Sequence, residues 1–205
     1  RDVVTELQAQ GISALALFGE LEQRERDEVL VQFANRSCSV LVATDVAARG
    51  LDIAQLEAVI NVDISPEVEV HTHRVGRTGR AGETGLAVSL ASMDEMGRVG
   101  NIEHAQGRAF EWLPLAALQA AEDAPPPLPP MVTLQILGGR KEKIRAGDVL
   151  GALTKDLGLD GAQIGKISIN EFSTYVAVAR EIAPQALRGL SAGKVKGRSV
   201  KVRQL

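Results

Sequence analysis

Three arginines recur at every third position of the segment HTHRVGRTGR, residues 71–80, and two glycines lie between them. A guanidinium is always charged and offers a planar fork of donors that matches the oxygens of a phosphate. If the segment is helical, Arg77 and Arg80 lie on one face, and Gly76 and Gly79 allow a phosphate or a backbone to approach closely. Two such forks suit the charge that spreads over a phosphoryl group during transfer. The alternative is a solvated arginine face paired with nearby glutamates.

The residues around these arginines do not make a complete nucleotide site. A protein that holds ATP alone cradles its phosphates with a glycine-rich loop that ends in lysine and serine or threonine. The first 130 residues contain no lysine, and the glycine-rich stretch at 76–85 follows no predicted strand. The first half is therefore not a self-sufficient nucleotide site.

Charge is divided unevenly along the chain, whose 205 residues carry a net charge of −3. Residues 1–130 contain 10 arginines and 20 acidic residues, whereas residues 131–205 contain 13 lysines and arginines and 6 acidic residues. Prolines at 125–127 and 129–130 favour an extended spacer between these halves. The sequence predicts a first domain over 1–122, a proline-rich linker over 123–130 and a basic domain over 131–205 that binds a polyanion.

Hydrophobic periodicity predicts alternating strands and helices in the first half. Strands are predicted at 13–18, 39–45, 57–63 and 85–91, and helices at 21–36, 66–77 and 93–107. Continuous apolar strands that alternate with helices indicate an α/β fold with a parallel sheet covered on both faces. Ligands of such sheets bind beyond the carboxyl ends of the strands, where ATD follows the second strand.

The basic half has a different pattern. Strands are predicted at 131–137, 165–170, 174–179 and 198–205, and helices at 145–158 and 183–191. The resulting order, β-α-β-β-α-β, is the split ferredoxin-like pattern of an α+β domain.

Some functions are disfavoured by composition. Cys38 is the only cysteine, which rules out an internal disulfide and suits a reducing, cytoplasmic location. The sequence has no run of eighteen apolar residues, so no membrane span is predicted. His71 and His73 have no second cluster of cysteine or histidine to join them, so no metal site is predicted.

Several longer stretches resemble one enzyme family. VLVATDVAARGLDI (40–53) and HRVGRTGRAG (73–82) look like motifs V and VI of DEAD-box RNA helicases, and FGELEQRER (18–26) resembles their motif IVa. The stretch 137–169 is similar to the RNA-binding domain of the bacterial DbpA subfamily, which has an RNA-recognition-motif (RRM) fold and is directed to 23S ribosomal RNA. The resemblance implies a RecA-like helicase domain followed by an RRM-like domain, as the C-terminal part of an ATP-dependent RNA helicase that acts in large-subunit assembly.

The resemblance also implies an ATP site shared with an N-terminal RecA-like domain of the same protein. The residues implied there are Arg77 and Arg80 as arginine fingers at the γ-phosphate, His73 as a link to the other domain, Asp52 and Gly50 at the ribose, and Arg49 as an interdomain bridge. Mg²⁺ would be held mainly by the N-terminal domain, whose Walker A and DEAD motifs this sequence lacks. We therefore expect the chain alone to have no RNA-stimulated ATPase activity.

Candidate RNA contacts fall in both halves. In the first half the resemblance implies phosphate contacts from Gly19, Gln23, Arg26 and Thr44, with Asp45 as a further RNA-binding residue beside Thr44. In the basic half the candidates are the cations and one aromatic residue: Arg140, Lys141, Lys143, Arg145, Lys166, Tyr175, Lys194, Lys196, Lys201 and Arg203. An ordinary RRM stacks bases on two or three aromatic residues of its sheet, and this half has only Phe172 and Tyr175. We therefore expect basic loops and edges to bind a structured RNA.

Two other functions remain open from the sequence. The acidic first half would suit a protein-interaction platform attached to a non-catalytic RNA-binding module, although such a platform has no need of Arg77, Arg80 and Asp52. A DNA helicase is disfavoured because an RRM-type module favours RNA. The mechanism implied by the family is local strand separation, in which two RecA-like domains close and bend one RNA strand out of its duplex.

Overall fold

The structure of the protein is a computed structural model. The structure describes residues 2–48, 56–79, 84–118 and 124–205. The chain divides into two compact units, Arg1–Ala48 with Pro125–Leu205, and Arg49–Ala124. The first unit thus combines residues from both sides of the proline-rich stretch, and the three-part division at 122 and 130 stays a prediction.

The N-terminal part of the first unit is built around two parallel strands. Its elements are α1 (Asp2–Ala9), β1 (Ala14–Leu17), α2 (Gln23–Ala34), β2 (Val40–Ala43) and the one-turn helix α3 (Asp45–Ala48). Leu17 at the end of β1 lies opposite Ala43 at the end of β2. The carboxyl ends of both strands therefore lie at the same edge.

Helix α2 begins at a reciprocal cap. The Glu22 side chain accepts a hydrogen bond from the backbone of Glu25, and the Glu25 carboxylate accepts one from the Glu22 N–H at 3.1 Å. Each bond satisfies a donor that the first turn of a helix leaves unpaired. The cap fixes where α2 starts, directly after the turn at Gly19.

The C-terminal part of the first unit is a four-stranded antiparallel sheet with two helices. Its elements are β5 (Met131–Leu137), α6 (Ala146–Gly151), β6 (Ile164–Ile169), β7 (Thr174–Ala179), α7 (Ala183–Ala192) and β8 (Lys201–Gln204). The strands lie in the order β6-β7-β5-β8, with β5 and β7 in the centre. The predicted element order is confirmed.

One face of this sheet packs against the helices. Leu134 and Ile136 of β5 and Val176 of β7 are fully buried, together with Leu153 and Leu190 from the helical layer. Removing such a side chain from water stabilises a fold by about 1.5–3 kcal/mol. The alternation of buried apolar residues along β5 is therefore what fixes its register in the sheet.

The opposite face of β5 meets the end of α2. Asn35 Nδ2 donates to Thr133 Oγ1 at 3.1 Å, and the Ser37 and Thr133 hydroxyl oxygens are 2.6 Å apart. Thr133 is completely buried, so hydrogen bonds must replace its lost contact with water. This sheet face is consequently covered from within the first unit.

The second unit contains another parallel pair. Its elements are β3 (Ala58–Asn61), α4 (Val68–Val75), β4 (Leu86–Ser89) and α5 (Met96–Gln106). Strands β3 and β4 pair in parallel, and Ile64, Val99 and Ile102 form a small core. A single parallel sheet was expected for the first half. Among the described strands, the parallel pairing joins β1 to β2 and β3 to β4.

Candidate functional site

Two predicted phosphate contacts lie at the carboxyl edge of the β1–β2 pair. Thr44 follows β2 directly, and its backbone N–H donates to the carbonyl of Leu17 at 3.2 Å. Gly19 lies in the turn after β1, and a Cβ added there would meet nothing within 4 Å. Both residues are exposed. The structure thus brings Gly19 and Thr44 to one edge, where ligands of parallel sheets bind.

Gln23 and Arg26 come to the same edge from the first turns of α2. Gln23 Nε2 donates to Asp27 Oδ1 at 2.7 Å, and Arg26 Nη2 donates to the carbonyl of Ala47 at 2.5 Å. The second bond ties α2 to the one-turn helix that begins at Asp45. Arg26 therefore holds the segment after β2 in place, which is a positioning role that the sequence did not reveal.

The segment that carries Arg77 is a turn and not a helix. Helix α4 ends at Val75, and the N–H of Gly76 donates to the carbonyl of Thr72 at 2.9 Å as the helix closes. Gly79 has a φ of 63°, a left-handed conformation that favours glycine. The helical argument that put two arginines on one face therefore does not apply. Arg80 itself lies outside the described residues.

The backbone of this turn is held by its neighbours. The carbonyl of Arg77 accepts a hydrogen bond from the N–H of Leu56 at 3.1 Å, and the Thr78 hydroxyl donates to the carbonyl of Leu56. A Cβ at Gly85 would overlap that hydroxyl and the backbone nitrogen of Gly79. These contacts fix the turn at Arg77, whose side chain is half-buried.

Arg74, the first arginine of the series, has a structural role. Its Nη1 donates to the carbonyl of Asp63 at 2.8 Å and to Asn61 Oδ1 at 3.4 Å. The guanidinium therefore ties α4 to the end of β3. The sequence analysis considered nearby glutamates as partners of the arginines and did not identify Asn61 or Asp63. His73, the predicted link to the other domain, is exposed on α4.

His71 belongs to the core of the second unit. It is 1% exposed, and its ring meets Phe110 edge-on with 5.9 Å between centroids. Burial, followed by the positive charge of Arg74, lowers the pKa of His71 below 6.5. The ring is therefore neutral at pH 7. Among the described residues, no group of three or more His, Cys, Asp or Glu side chains could hold a metal ion.

Three other predicted site residues, Arg49, Gly50 and Asp52, lie outside the described residues. They follow α3 in the sequence stretch that resembles motif V. Of the helices that the structure does describe, none has the length and apolar character needed to cross a membrane.

Four predicted cations of the basic half line one surface pocket. They are Arg140, Lys143, Arg145 and Lys196. The Lys196 ammonium donates to the carbonyl of Lys143 and lies 3.9 Å from Asp148 Oδ2. Lys143 and Lys196 have φ values of 58° and 52°, a left-handed conformation that few residues other than glycine adopt. The pocket therefore concentrates positive charge on two tightly turned loops.

The remaining predicted cations are spread over the surface. Lys141 lies 3.2 Å from Glu171 Oε1 in an exposed ion pair. Lys166 and Lys201 are exposed on β6 and β8, the two edge strands of the sheet, and Lys194 is exposed after α7. These residues extend the positive surface beyond the pocket.

The side chains of Tyr175 and Arg203 form hydrogen bonds within the first unit. Tyr175 is 3% exposed, and its hydroxyl accepts a hydrogen bond from Gln135 Nε2 at 3.1 Å. Arg203 donates to Gln135 Oε1 at 2.5 Å and to Glu28 Oε1 at 2.8 Å. The structure therefore does not present the Tyr175 ring to a base. Glu28 was missed because no local pattern connects it with a strand far along the chain.

Comparison with known proteins matches a segment of each half to a protein family. The family described as Helicase conserved C-terminal domain matches residues 2–82, and the family described as DbpA RNA binding domain matches residues 133–204. The ATP-dependent RNA helicase DbpA of Escherichia coli is 49% identical over 201 residues, which are 95% of this chain and 42% of that protein. The DbpA of Bacillus subtilis is 31% identical and is matched over 96% of this chain and 45% of its own length. The chain spans less than half the length of these relatives.

A solved structure supports the same assignment. The Escherichia coli DEAD-box protein SrmB, solved in complex with regulator of ribonuclease activity A, superposes with a TM-score of 0.53 at 34% sequence identity. The match covers 61% of this chain and 76% of that one. The RecA-like fold predicted for the first half is confirmed.

Proposed function

Because the chain belongs to the DEAD-box protein family and carries a DbpA-type RNA-binding domain, we propose that it supplies the second RecA-like domain and the RNA-targeting module of an ATP-dependent RNA helicase. The observation that carries the proposal is the edge where β1 and β2 end together, with Gly19 and Thr44 exposed beside each other. In this proposal the rest of the helicase core lies in the part of the relatives that this chain does not span.

One RNA strand would lie along this edge with its phosphates toward the protein. The Gly19 N–H and the Thr44 hydroxyl are donors on short, exposed turns, and Gln23 and Arg26 add polar groups from α2. Contacts to phosphates fix the path of a strand without reading its bases. Asp45, the first residue of the one-turn helix after Thr44, would also contact the RNA. Such a site suits an enzyme that separates duplexes of any sequence.

ATP would supply the free energy for strand separation when it is bound between the two RecA-like domains. Arg77 and Arg80 would meet its γ-phosphate, Gly50 and Asp52 its ribose, and Arg49 and His73 the other domain. Support comes from the turn at Arg77, whose backbone is pinned by Leu56 and Thr78. A guanidinium on a fixed backbone loses less conformational freedom when it binds a phosphate.

The basic half would direct the helicase to its substrate. Its element order and the sheet order β8-β5-β7-β6 support the proposal that it has an RRM-like, ferredoxin-like fold. We propose structured 23S ribosomal RNA as the target and large-subunit assembly as the process, because the resemblance of residues 137–169 to the DbpA subfamily implies them. A cytoplasmic location is part of the same proposal.

The test reconstitutes the core in trans. The purified chain is mixed with a matching N-terminal RecA-like domain, and ATP hydrolysis is measured with and without a structured RNA. We expect no hydrolysis from the chain alone and RNA-stimulated hydrolysis from the mixture. Hydrolysis by the chain alone would contradict the proposal. RNA binding without restored hydrolysis would favour a non-catalytic RNA-binding and protein-interaction module.

A further inference from the structure

One exposed aromatic residue of the basic half has no role in the function proposed above. Phe172 is 61% exposed in the loop between β6 and β7. The only other aromatic residue in 131–205 is Tyr175, which is buried with its hydroxyl bonded to Gln135. Any aromatic stacking that this half contributes to RNA binding must therefore come from Phe172.

The loop that carries Phe172 is held in position by a second loop. The N–H of Arg140 donates to the carbonyl of Asn170 at 2.9 Å, and the N–H of Lys141 donates to the carbonyl of Glu171 at 3.1 Å. A Cβ at Gly139 would overlap the carbonyl of Asn170, so this close approach requires glycine. Phe172 therefore lies on a loop whose backbone is held by hydrogen bonds to a second loop. Fixing this loop when RNA binds costs little conformational entropy.

The surroundings of the ring are cationic. The Lys141 ammonium lies 4.6 Å from the centre of the Phe172 ring, within the range of a cation–π interaction. The neighbouring residue Arg140 lines the pocket that also contains Lys143 and Lys196. An aromatic ring beside a run of positive charge is the combination with which proteins hold unpaired nucleotides.

We propose that Phe172 stacks on an unpaired nucleobase of an RNA whose phosphates lie in the adjacent cationic pocket. The inference rests on the proposed function, because it assumes that the basic half binds RNA. Recognition then takes place at the loop end of the domain, since Glu28, Gln135 and Arg203 cover the sheet face around Tyr175. The ligand is a nucleotide of a hairpin loop or bulge, because bases inside a duplex offer no free face to stack on.

The test uses the full 205-residue chain and an RNA hairpin with 2-aminopurine at one loop position. Stacking on Phe172 should change the 2-aminopurine fluorescence on binding. We expect Phe172→Ala to abolish this change and to weaken hairpin binding about five-fold to 100-fold, the range for the loss of one base–aromatic stack. Phe172→Trp, which keeps an aromatic face, should bind within about two-fold of the original chain.

Two comparisons separate stacking from other effects. Phe172→Leu keeps an apolar side chain without an aromatic face, and we expect it to behave like Phe172→Ala. A blunt RNA duplex without unpaired nucleotides should bind all variants equally. Thermal unfolding should be unchanged in each variant, because the ring is mostly in water.

Three results would overturn the inference: unchanged hairpin affinity in Phe172→Ala, full affinity in Phe172→Leu, or the same loss of affinity for hairpin and duplex. Each would leave the proposed function intact as long as the original chain binds the hairpin. Failure of the original chain to bind any RNA would instead contradict the proposed function of the basic half, and with it the inference.

Discussion

The carboxylate of Glu28 lies 2.8 Å from the guanidinium of Arg203 and joins helix α2 to strand β8, 175 positions further along the chain. The same carboxylate is 3.3 Å from Arg24 on its own helix and 3.3 Å from Gln135 on β5. Glu28 is the better buried partner, because 19% of its side chain is exposed compared with 50% for Arg203. A single acidic side chain thus connects the two parts of the first unit.

A double-mutant cycle should detect this connection. We expect Glu28→Gln and Arg203→Gln each to lower the free energy of unfolding, with a coupling of about 0.5–1 kcal/mol, because water screens a half-exposed pair. Urea unfolding of the single and double variants gives the coupling. Arg24→Gln is the matched control and should cost less than about 0.5 kcal/mol, since Arg24 is 71% exposed. A coupling of zero would show that the ion pair does not hold the two parts together.

Acid should weaken the second unit through His71. Its pKa is lowered by burial and by Arg74, so the unfolded chain, with a value near 6.5, takes up the proton first. The contribution of His71 to the free energy of unfolding is complete above pH 6.5 and is lost as the pH falls below that value.

His71→Phe should remove this part of the pH dependence, which unfolding titrations at pH 8 and pH 5.5 can measure. The exposed His104 provides the control, because His104→Gln should leave the dependence unchanged. If the free energy of unfolding of His71→Phe keeps the same pH dependence, a group other than His71 causes that dependence.

Glycine at position 85 should be essential to the turn at Arg77. Gly85→Ala forces a methyl group into the Thr78 hydroxyl and the backbone of Gly79, and we expect it to destabilise the unit by about 1–3 kcal/mol. Gly100 lies in α5, where an added Cβ meets nothing within 4 Å. Gly100→Ala should therefore stabilise by about 0.5–1 kcal/mol. Equal effects of the two substitutions on thermal unfolding would refute this account of the turn.

Loss of the Arg77 side chain should reduce the rate of ATP hydrolysis. In the reconstituted mixture of both RecA-like domains, we expect Arg77→Ala to reduce kcat about 10³-fold or more, the usual contribution of an arginine finger. Arg108, an exposed arginine of the same unit, serves as the control, because Arg108→Ala should leave kcat unchanged. Near-normal turnover by Arg77→Ala would assign the catalytic role elsewhere.

The cationic pocket predicts how RNA affinity depends on salt. We expect Lys143→Ala and Lys196→Ala each to reduce the slope of log affinity against log salt concentration by about one, as the loss of one phosphate contact should. Lys155 is exposed but does not line the pocket, so Lys155→Ala should leave the slope unchanged. Titrations at several salt concentrations provide the slopes, and equal slopes for all variants would contradict the proposed phosphate contacts.

The sequence was most informative where local signals agreed with the fold. The strands at 131–137 and 174–179 were predicted to the residue, because apolar residues recur there in short runs bounded by glycine or serine. The position of Thr44 at the carboxyl end of a strand followed from the rule for ligands of parallel sheets, whereas Gly19 was implied only by the resemblance to motif IVa. Helix α1 was not predicted, since its eight residues form a weak pattern.

Other features depend on contacts that no local pattern contains. Gly76 and Gly79 were expected to allow close approach of a phosphate or a backbone on a helical segment, whereas helix α4 ends before Gly76 and the chain turns at Gly79. Tyr175 was predicted to contact RNA because aromatic residues on such sheets commonly do, and the tertiary contact with Gln135 buries it instead. Long-range side-chain partners of this kind are set by the assembled fold.

The discontinuous first unit has a consequence for biosynthesis. Ribosomes make the chain from its amino end, and most domains fold as soon as they emerge. Here α2 must wait until β8 has been translated before Arg203 can reach Glu28. The contacts of Glu28 with Gln135 and Arg203 therefore form only after the second unit has been synthesised, and until then water solvates this carboxylate.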